Sequence, residues 1–414
     1  MITDVNSRYR ETLDKRIEDL NIDFQSNLEV FKRLLISGRV YTQEDPQDIS
    51  IIPRVIKREE HRSIENMCSE LTLTNFSVLS DYINNPESVP YSPLNDFIKS
   101  LPKTQKILSG MARYDFLKQE KDYKLVESNF VNAGALTEST GSAETLLYLF
   151  PELRKNFLSL APVRSAKRRL EEREIKNVLL LTRDNYDDCP SEVTDRHLIK
   201  NTLFPIKGVI VPQLEYENIS INGKVSFNGE DFDAIYPKHL SGSNGMEDEL
   251  LNYHGFVSKL LKSNSLVFDN WLTILLEEKD LRFLSRKNSR IMKYLPEIKD
   301  ITDSNNLDLS EWVLKLKDTH CGRGVVLSPS NVDISENGIL QQRIFTNKHP
   351  VLSLGGKNGD ATFDTGVYVS YTYDLEKRKL ITSEVAGYLT RFSIESDIVN
   401  MTQGGGVIPT LIER

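Results

Sequence analysis

Apolar residues recur at helical spacing through residues 7–38, where Leu13, Ile17, Leu20, Phe24, Leu28 and Phe31 alternate with charged positions; the pattern is that of one or two amphipathic helices. Prolines in QEDPQDISIIPRV interrupt it, a second helical stretch runs from about Ile56 to Leu79, and NNPESVPYSP breaks the pattern again. Residues 1–110 therefore read as mainly helical. From residue 113 the period shortens: RYDFLKQEKDYKLVESNF (113–130) is two short apolar strands around a polar turn at KQEKD, a β-hairpin. ETLLYLFPEL is helical, KNVLLLTRD (176–184) has the continuous apolar run of a buried strand, and DCPSEVTDRHLIKNTLF reads as a capped helix. IKGVIVPQLEYE and DFDAIYPKH are two further strands, so strands alternate with helices as in a parallel βαβ sheet. After a helix in EDELLNYHGFVSKLLKS, the last hundred residues turn strand-rich, with EWVLKLKD, GVVLSP, GILQQRIF, GVYVSYTYD and KRKLITSEVAGYLTRFS. The fold class expected is α/β (α+β), in three parts: a helical region over 1–110, a hairpin with a central α/β substrate domain over 111–265, and nucleotide-binding subdomains over 266–414.

Bulk properties narrow the function. At 414 residues, the chain is long enough for more than one core. Its net charge of −8 argues against nucleic acid as a partner. Nowhere is there an apolar run of about 18 residues, so no membrane span is expected. Three scattered cysteines, Cys68, Cys189 and Cys321, make neither a metal knuckle nor a disulfide framework, and the N-terminus lacks the apolar core of a signal peptide; a cytoplasmic location is the expectation.

The hairpin carries the most unusual chemistry. Strand alternation puts Leu125, Glu127 and Asn129 on one face, and pairing about KQEKD sets Asp115 nearly opposite Leu125 and diagonal to Glu127. Two carboxylates and an amide within reach of one cation suit Mg²⁺; a solvated polar face is the plainer alternative. In EWVLKLKDTHCGRGVVLSPS (311–330) a strand with Lys315 enters a loop containing Gly322 and Gly324, whose backbone N–H groups could approach phosphate oxygens, although a glycine pair between strands is also an ordinary hairpin. Neither a P-loop nor a dinucleotide fingerprint occurs. GILQQRIF could present an adenine-binding edge with Gln341 and Gln342, and Gly404–Gly406 could form a mobile lid behind Arg391.

Together these segments resemble the ATP-grasp ligases, in particular the circularly permuted, glutathionylspermidine-synthase-like branch. The most specific likeness is RYDF followed by KLVESN, with Asp115, Glu127 and Asn129 at offsets of 12 and 2. The resemblance implies that these three bind Mg²⁺, that ATP lies between two β-sheets, and that Arg113 contacts the transferred phosphoryl group. By the same likeness Lys279, on a helix in relatives, and Lys315 bind the nucleotide. Gly322, Arg323 and Gly324 cover its phosphates, and Gln341, Gln342 and Ile344 form the hinge strand. Arg391 resembles a late arginine near phosphate or substrate. ESNFVNAGALTES and Gln342 depart from the family pattern, so the likeness does not extend to the substrates.

The function implied is an ATP-dependent carboxylate–amine ligase acting through an acyl phosphate, with cofactors ATP and Mg²⁺ and with a small-molecule, peptide or carrier-bound acid and an amine as partners. No covalent nucleophile is required, which agrees with the lack of a Ser/His/Asp or Cys/His signature. A small-molecule kinase on the same scaffold would need a general base, for which Glu138 and Asp364 are candidates. A non-catalytic ATP-binding protein is the third reading. His320 reads as a loop-tip residue, and residues 133–144 adjoin the metal ligands on the acceptor side.

Overall fold

The computed structural model describes residues 48–85, 104–131, 133–182, 199–200, 202–237, 253–277, 279–316, 324–329, 338–353, 357–399 and 405–414. The amphipathic segment at 7–38 and most of DCPSEVTDRHLIKNTLF lie outside these residues.

Two helices and six strands frame the site: helices α1 (Arg58–Asn84) and α2 (Leu136–Leu149), and strands β1 (Ile107–Gln119), β2 (Asp122–Asn129), β3 (Trp312–Leu316), β4 (Gly338–Gln342), β5 (Asn358–Asp374) and β6 (Lys379–Ser393). β2, β1, β5 and β6 lie side by side in a seven-stranded sheet that continues through Gly406–Ile408 to Asp48–Ile49, with His349–Leu352 joined to the start of β5. Pairing along β2–β1–β5–β6 is antiparallel throughout.

This sheet is covered on both faces, and alternation along β1 shows how. Ala112, Tyr114 and Phe116 enter a large core beneath α1, whose Ile64, Met67, Leu71, Val78 and Tyr82 follow helical spacing. Phe76 stacks on Tyr373 of β5, with ring centroids 4.7 Å apart. On the other face Met111 joins Tyr368 and Leu389 under the helix Pro162–Glu171. Two residues beyond Met111 that same face carries Arg113 and Asp115 instead of apolar side chains, and there the site begins.

Leu266–Val267, Ala234–Tyr236, Asn177–Thr182 and Lys207–Pro212 form the expected parallel sheet, in that order. A second four-stranded sheet, Ile298–Asp300, β4, β3 and Val325–Leu327, is antiparallel. On β3 and β4, Val313, Lys315, Ile339 and Gln341 share one face, while Trp312, Leu314 and Leu340 pack together on the other.

Candidate active site

Asp115 is opposite Glu127, not Leu125 as the sequence suggests. The register shifts by one between Asp115 and Phe116, because Phe116 pairs with Leu125 and leaves Val126 as an extra residue. Such a β-bulge re-aims the side chains around it. Here it sets the two carboxylate-bearing residues directly across the hairpin, with Arg113 opposite Asn129. The turn itself is only Glu120–Lys121, with Glu120 in a left-handed conformation at φ 54°.

Asp115 is 1% exposed and fully engaged. Its Oδ1 accepts from Arg113 Nε at 2.7 Å. Its Oδ2 accepts from Arg113 Nη2 at 2.9 Å, Arg391 Nη2 at 3.0 Å and Asn129 Nδ2 at 3.2 Å. Burial opposes charge on Asp115, but the two guanidiniums outweigh it and hold the carboxyl below the usual carboxylate range. Arg391 reaches Asp115 from β6 while its Nε donates to Asp364 Oδ1 at 3.0 Å. Burial pushes Asp364 up to about 6 against the pull of Arg391, with the charge on Asp115 adding to the rise. Arg113 Nη1 also donates to the carbonyl of Gly134 at 3.1 Å, and Tyr368 donates to the same oxygen.

Backbone packing sustains this cluster. Gly366 of β5 pairs with Asp115, and a Cβ there would lie 2.9 Å from both Arg113 Cδ and Asp115 Oδ1. Gly366→Ala is expected to cost about 1–3 kcal/mol in urea unfolding, as overpacking does. Gly134→Ala, with nothing within 4 Å of the added methyl, should change stability by less than about 0.5 kcal/mol. Equal effects at the two glycines would show that the Arg113–Asp115 pair has room to move.

A second group of side chains approaches the hairpin from the antiparallel sheet. Lys315 Nζ donates to the carbonyl of Val126, the bulge residue, at 2.7 Å. Burial pushes this ammonium down to about 8; Glu127 opposes the fall and Lys279 adds to it. Lys279 Nζ donates to the carbonyl of Leu316 at 2.9 Å. Lys279 is not on a helix, as its resemblance implied: it lies between the 3₁₀ turn Trp271–Leu276 and the helix Arg282–Lys287.

The expected site residues thus divide. Arg113, Asp115, Asn129 and Arg391 are hydrogen-bonded into one cluster, Glu127 pairs across it, and Lys315 reaches the same hairpin. Gln341 is buried on the Lys315 face, whereas Gln342 is exposed and alternates to the opposite face, so its side chain cannot contribute where Gln341 does. Ile344 is buried just beyond β4, and Gly324 closes the β3 hairpin at φ 72°, its carbonyl accepting from the Leu316 N–H at 3.0 Å. Gly322, Arg323, His320 and Gly404 lie outside the described residues. Asp364, a candidate base in the kinase reading, is instead bound to Arg391.

One residue escaped the sequence reading altogether. Glu277 Oε1 accepts from the N–H groups of Phe130 and Val131, at 2.5 and 2.6 Å, just past Asn129. Burial pushes it up to about 8, those two N–H groups oppose the rise, and the charge on Glu127 adds to it. Only its adjacency to Lys279 in LLEEKD could have drawn notice.

These residues bear on how a divalent cation would be held. Among the described residues Asp115 has its lone pairs taken by four donors, which suits an arginine holder better than a metal ligand. Glu127 and Asn129 keep oxygens that accept no hydrogen bond from the described residues, and a carboxylate with an amide oxygen is a donor set that Mg²⁺ accepts.

No family model matches the chain, and no curated protein matches it. Among solved structures it is similar to a glutathione synthetase-like effector from Globodera pallida in its apo form, at 11% identity and a TM-score of 0.71, over 94% of this chain and 97% of that one. A protein assigned as a gamma-glutamylcysteine synthetase from Methylobacillus flagellatus aligns over 82% of this chain and 86% of its own, at 11% identity and a TM-score of 0.45. At such identity the likeness is one of fold: across nearly its whole length the chain has the architecture of the glutathione synthetase-like effector.

Proposed function

We propose that the protein is an ATP-grasp ligase that joins a carboxylate to an amine through an acyl phosphate, releasing ADP and phosphate. The observation that carries this reading is the meeting of two charge sets on one hairpin: Lys315 from the antiparallel sheet bonded to Val126, and the Arg113–Asp115–Arg391 cluster beside Glu127 and Asn129. A fold shared with a glutathione synthetase-like protein supports it. So does the order of the chain, in which RYDF and KLVESN precede both lysines, as in the permuted branch.

In this reading Lys279 and Lys315 would bind the phosphates of ATP, and Gln341 and Ile344 would receive its base. By the same resemblance Gly322, Arg323 and Gly324 would contact the phosphates. Glu127 and Asn129 would hold Mg²⁺, whose charge would offset that of the phosphates. Asp115 keeps Arg113 and Arg391 charged and aimed, so that they neutralise the phosphoryl group passing to the acid substrate. Residues 133–144, which follow Asn129 closely in the chain, would line the acceptor site. The kinase reading is not favoured, and one of its two candidate bases, Asp364, is committed to Arg391.

Calorimetry with ATP, with and without Mg²⁺, tests the reading on wild type and on the Glu127→Ala/Asn129→Ala double variant. The expected result is Mg²⁺-dependent binding that weakens about 10–100-fold in the double variant. Wild type indifferent to ATP, or a double variant that binds Mg²⁺–ATP unchanged, would overturn it.

A further inference from the structure

β2 stops pairing with β1 at Asn129, so the N–H groups of Phe130 and Val131 have no strand partner and need another acceptor. Glu277 supplies it with a single oxygen. Two consecutive N–H groups can converge on one oxygen only where the chain has left the extended conformation, in which they point to opposite sides; this is the geometry of a backbone nest. Glu277 itself is held firmly: the six residues before it, Trp271–Leu276, form a 3₁₀ turn with every side chain buried, and Trp271 is completely inaccessible. Two residues after it comes Lys279, bonded to the carbonyl of Leu316 at the end of β3. One carboxyl group therefore ties together the strand end bearing Glu127 and Asn129 and the segment bearing Lys279.

We propose that Glu277 is a positioning residue of the ligase site, a clamp that fixes the cation-binding end of the hairpin relative to the nucleotide lysines. The inference rests on the ligase reading above. A half-buried carboxyl next to Glu127 is an expensive way to cap two N–H groups if capping were the whole requirement. A water or an apolar turn with different backbone geometry would serve that purpose at less cost. What a rigidly mounted carboxyl group adds is a fixed distance between the end of a strand and a segment that lies outside that sheet, and ligands held to within a fraction of an ångström are what a metal–nucleotide site requires. Residues that orient ligands in this way commonly change metal affinity 10–100-fold when removed.

The test uses the full chain and two variants, Glu277→Ala and Glu277→Gln. The glutamine amide oxygen can accept the same two N–H groups, so the clamp survives in that variant and is lost in the alanine one. Amide hydrogen exchange at Phe130 and Val131 is expected to speed up at least tenfold in Glu277→Ala and to stay near wild type in Glu277→Gln. In calorimetry, Glu277→Ala should lose about 10–100-fold in affinity for Mg²⁺–ATP while metal-free ATP binding changes by less than about threefold, and Glu277→Gln should restore most of the loss. A merely stabilising role would lower the unfolding midpoint without moving the ratio of the two affinities. Unchanged exchange in Glu277→Ala, an unchanged affinity ratio, or a Glu277→Gln variant as defective as alanine would each overturn the clamp. Wild type without Mg²⁺-dependent ATP binding would instead remove the ligase reading, and the clamp's catalytic meaning with it.

Discussion

Asp115→Ala is expected to lower the free energy of unfolding by roughly 3–5 kcal/mol, the cost typical of breaking a buried ion pair from one side. The reason is what stays behind. Arg113 and Arg391, with side chains only 10% and 16% exposed, lose the carboxylate that both face. Arg391 retains Asp364, but Arg113 keeps only the Gly134 carbonyl among its hydrogen-bond acceptors in the described structure. Asn129 loses the acceptor of its amide N–H as well. Urea unfolding of wild type, Asp115→Ala, Arg113→Leu and the double variant checks this. The double variant should be more stable than Asp115→Ala alone, because it removes the stranded cation together with its partner. A loss below about 1 kcal/mol in Asp115→Ala would mean that water reaches the arginines and that the cluster is not the buried unit described here. ATP-dependent activity should fall in the same variant, since both arginines lose their common anchor.

The second large effect is a stability minimum near pH 8 in metal-free buffer. Glu277 is pushed up to about 8 from an ordinary 4.5, so the folded state binds more protons than the unfolded chain between those values. Its stabilising contribution is complete below about 4.5 and is lost as pH rises through 8. Lys315 is pushed down to about 8 from 10.5, so the unfolded chain binds more protons across that interval. Its contribution is complete above about 10.5 and is lost as pH falls through 8. The two slopes have opposite sign and meet at the same pH, each at most about 1.4 kcal/mol per pH unit and less where solvent reaches the side chain. Differences between wild type and single variants separate them from the rest of the chain's titration. Glu277→Gln should gain stability over wild type progressively from pH 5 to 8, and Lys315→Met should gain it below pH 8 and lose that advantage toward pH 10. Parallel curves for wild type and either variant would show that the group in question is solvated in the folded state.

How much of this was legible beforehand differs from element to element. The helix Arg58–Asn84, the strands Asn177–Thr182 and Lys207–Pro212, and the late strands were readable because each carries its own helical period, alternation or unbroken run of apolar residues, and such patterns are local. β5 was recognised only from Gly366 onward, although it starts at Asn358. Its first residues, NGDATFDT, lack a clear apolar alternation, and Asp364 there faces a buried arginine and not an apolar core. In the hairpin the residue types of Arg113, Asp115, Glu127 and Asn129 were plain, but their register was not. A single extra residue at Val126 changes every partner beyond it, and bulges leave no periodic trace.

What the sequence by itself determined about this protein, then, is many of its longer strands and helices and the choice of chemical groups on the hairpin, because both are written in neighbouring residues. Tertiary structure alone decided that Arg391 meets Asp115 across 276 positions, that Glu277 closes on Phe130 across 147, and that Lys315 reaches Val126 across 189. Such meetings depend on the order of strands within the seven-stranded sheet and on how the other elements stack against it. The stacking follows from burying both faces of β1 and β5 at once, a condition on the whole chain that no segment expresses alone.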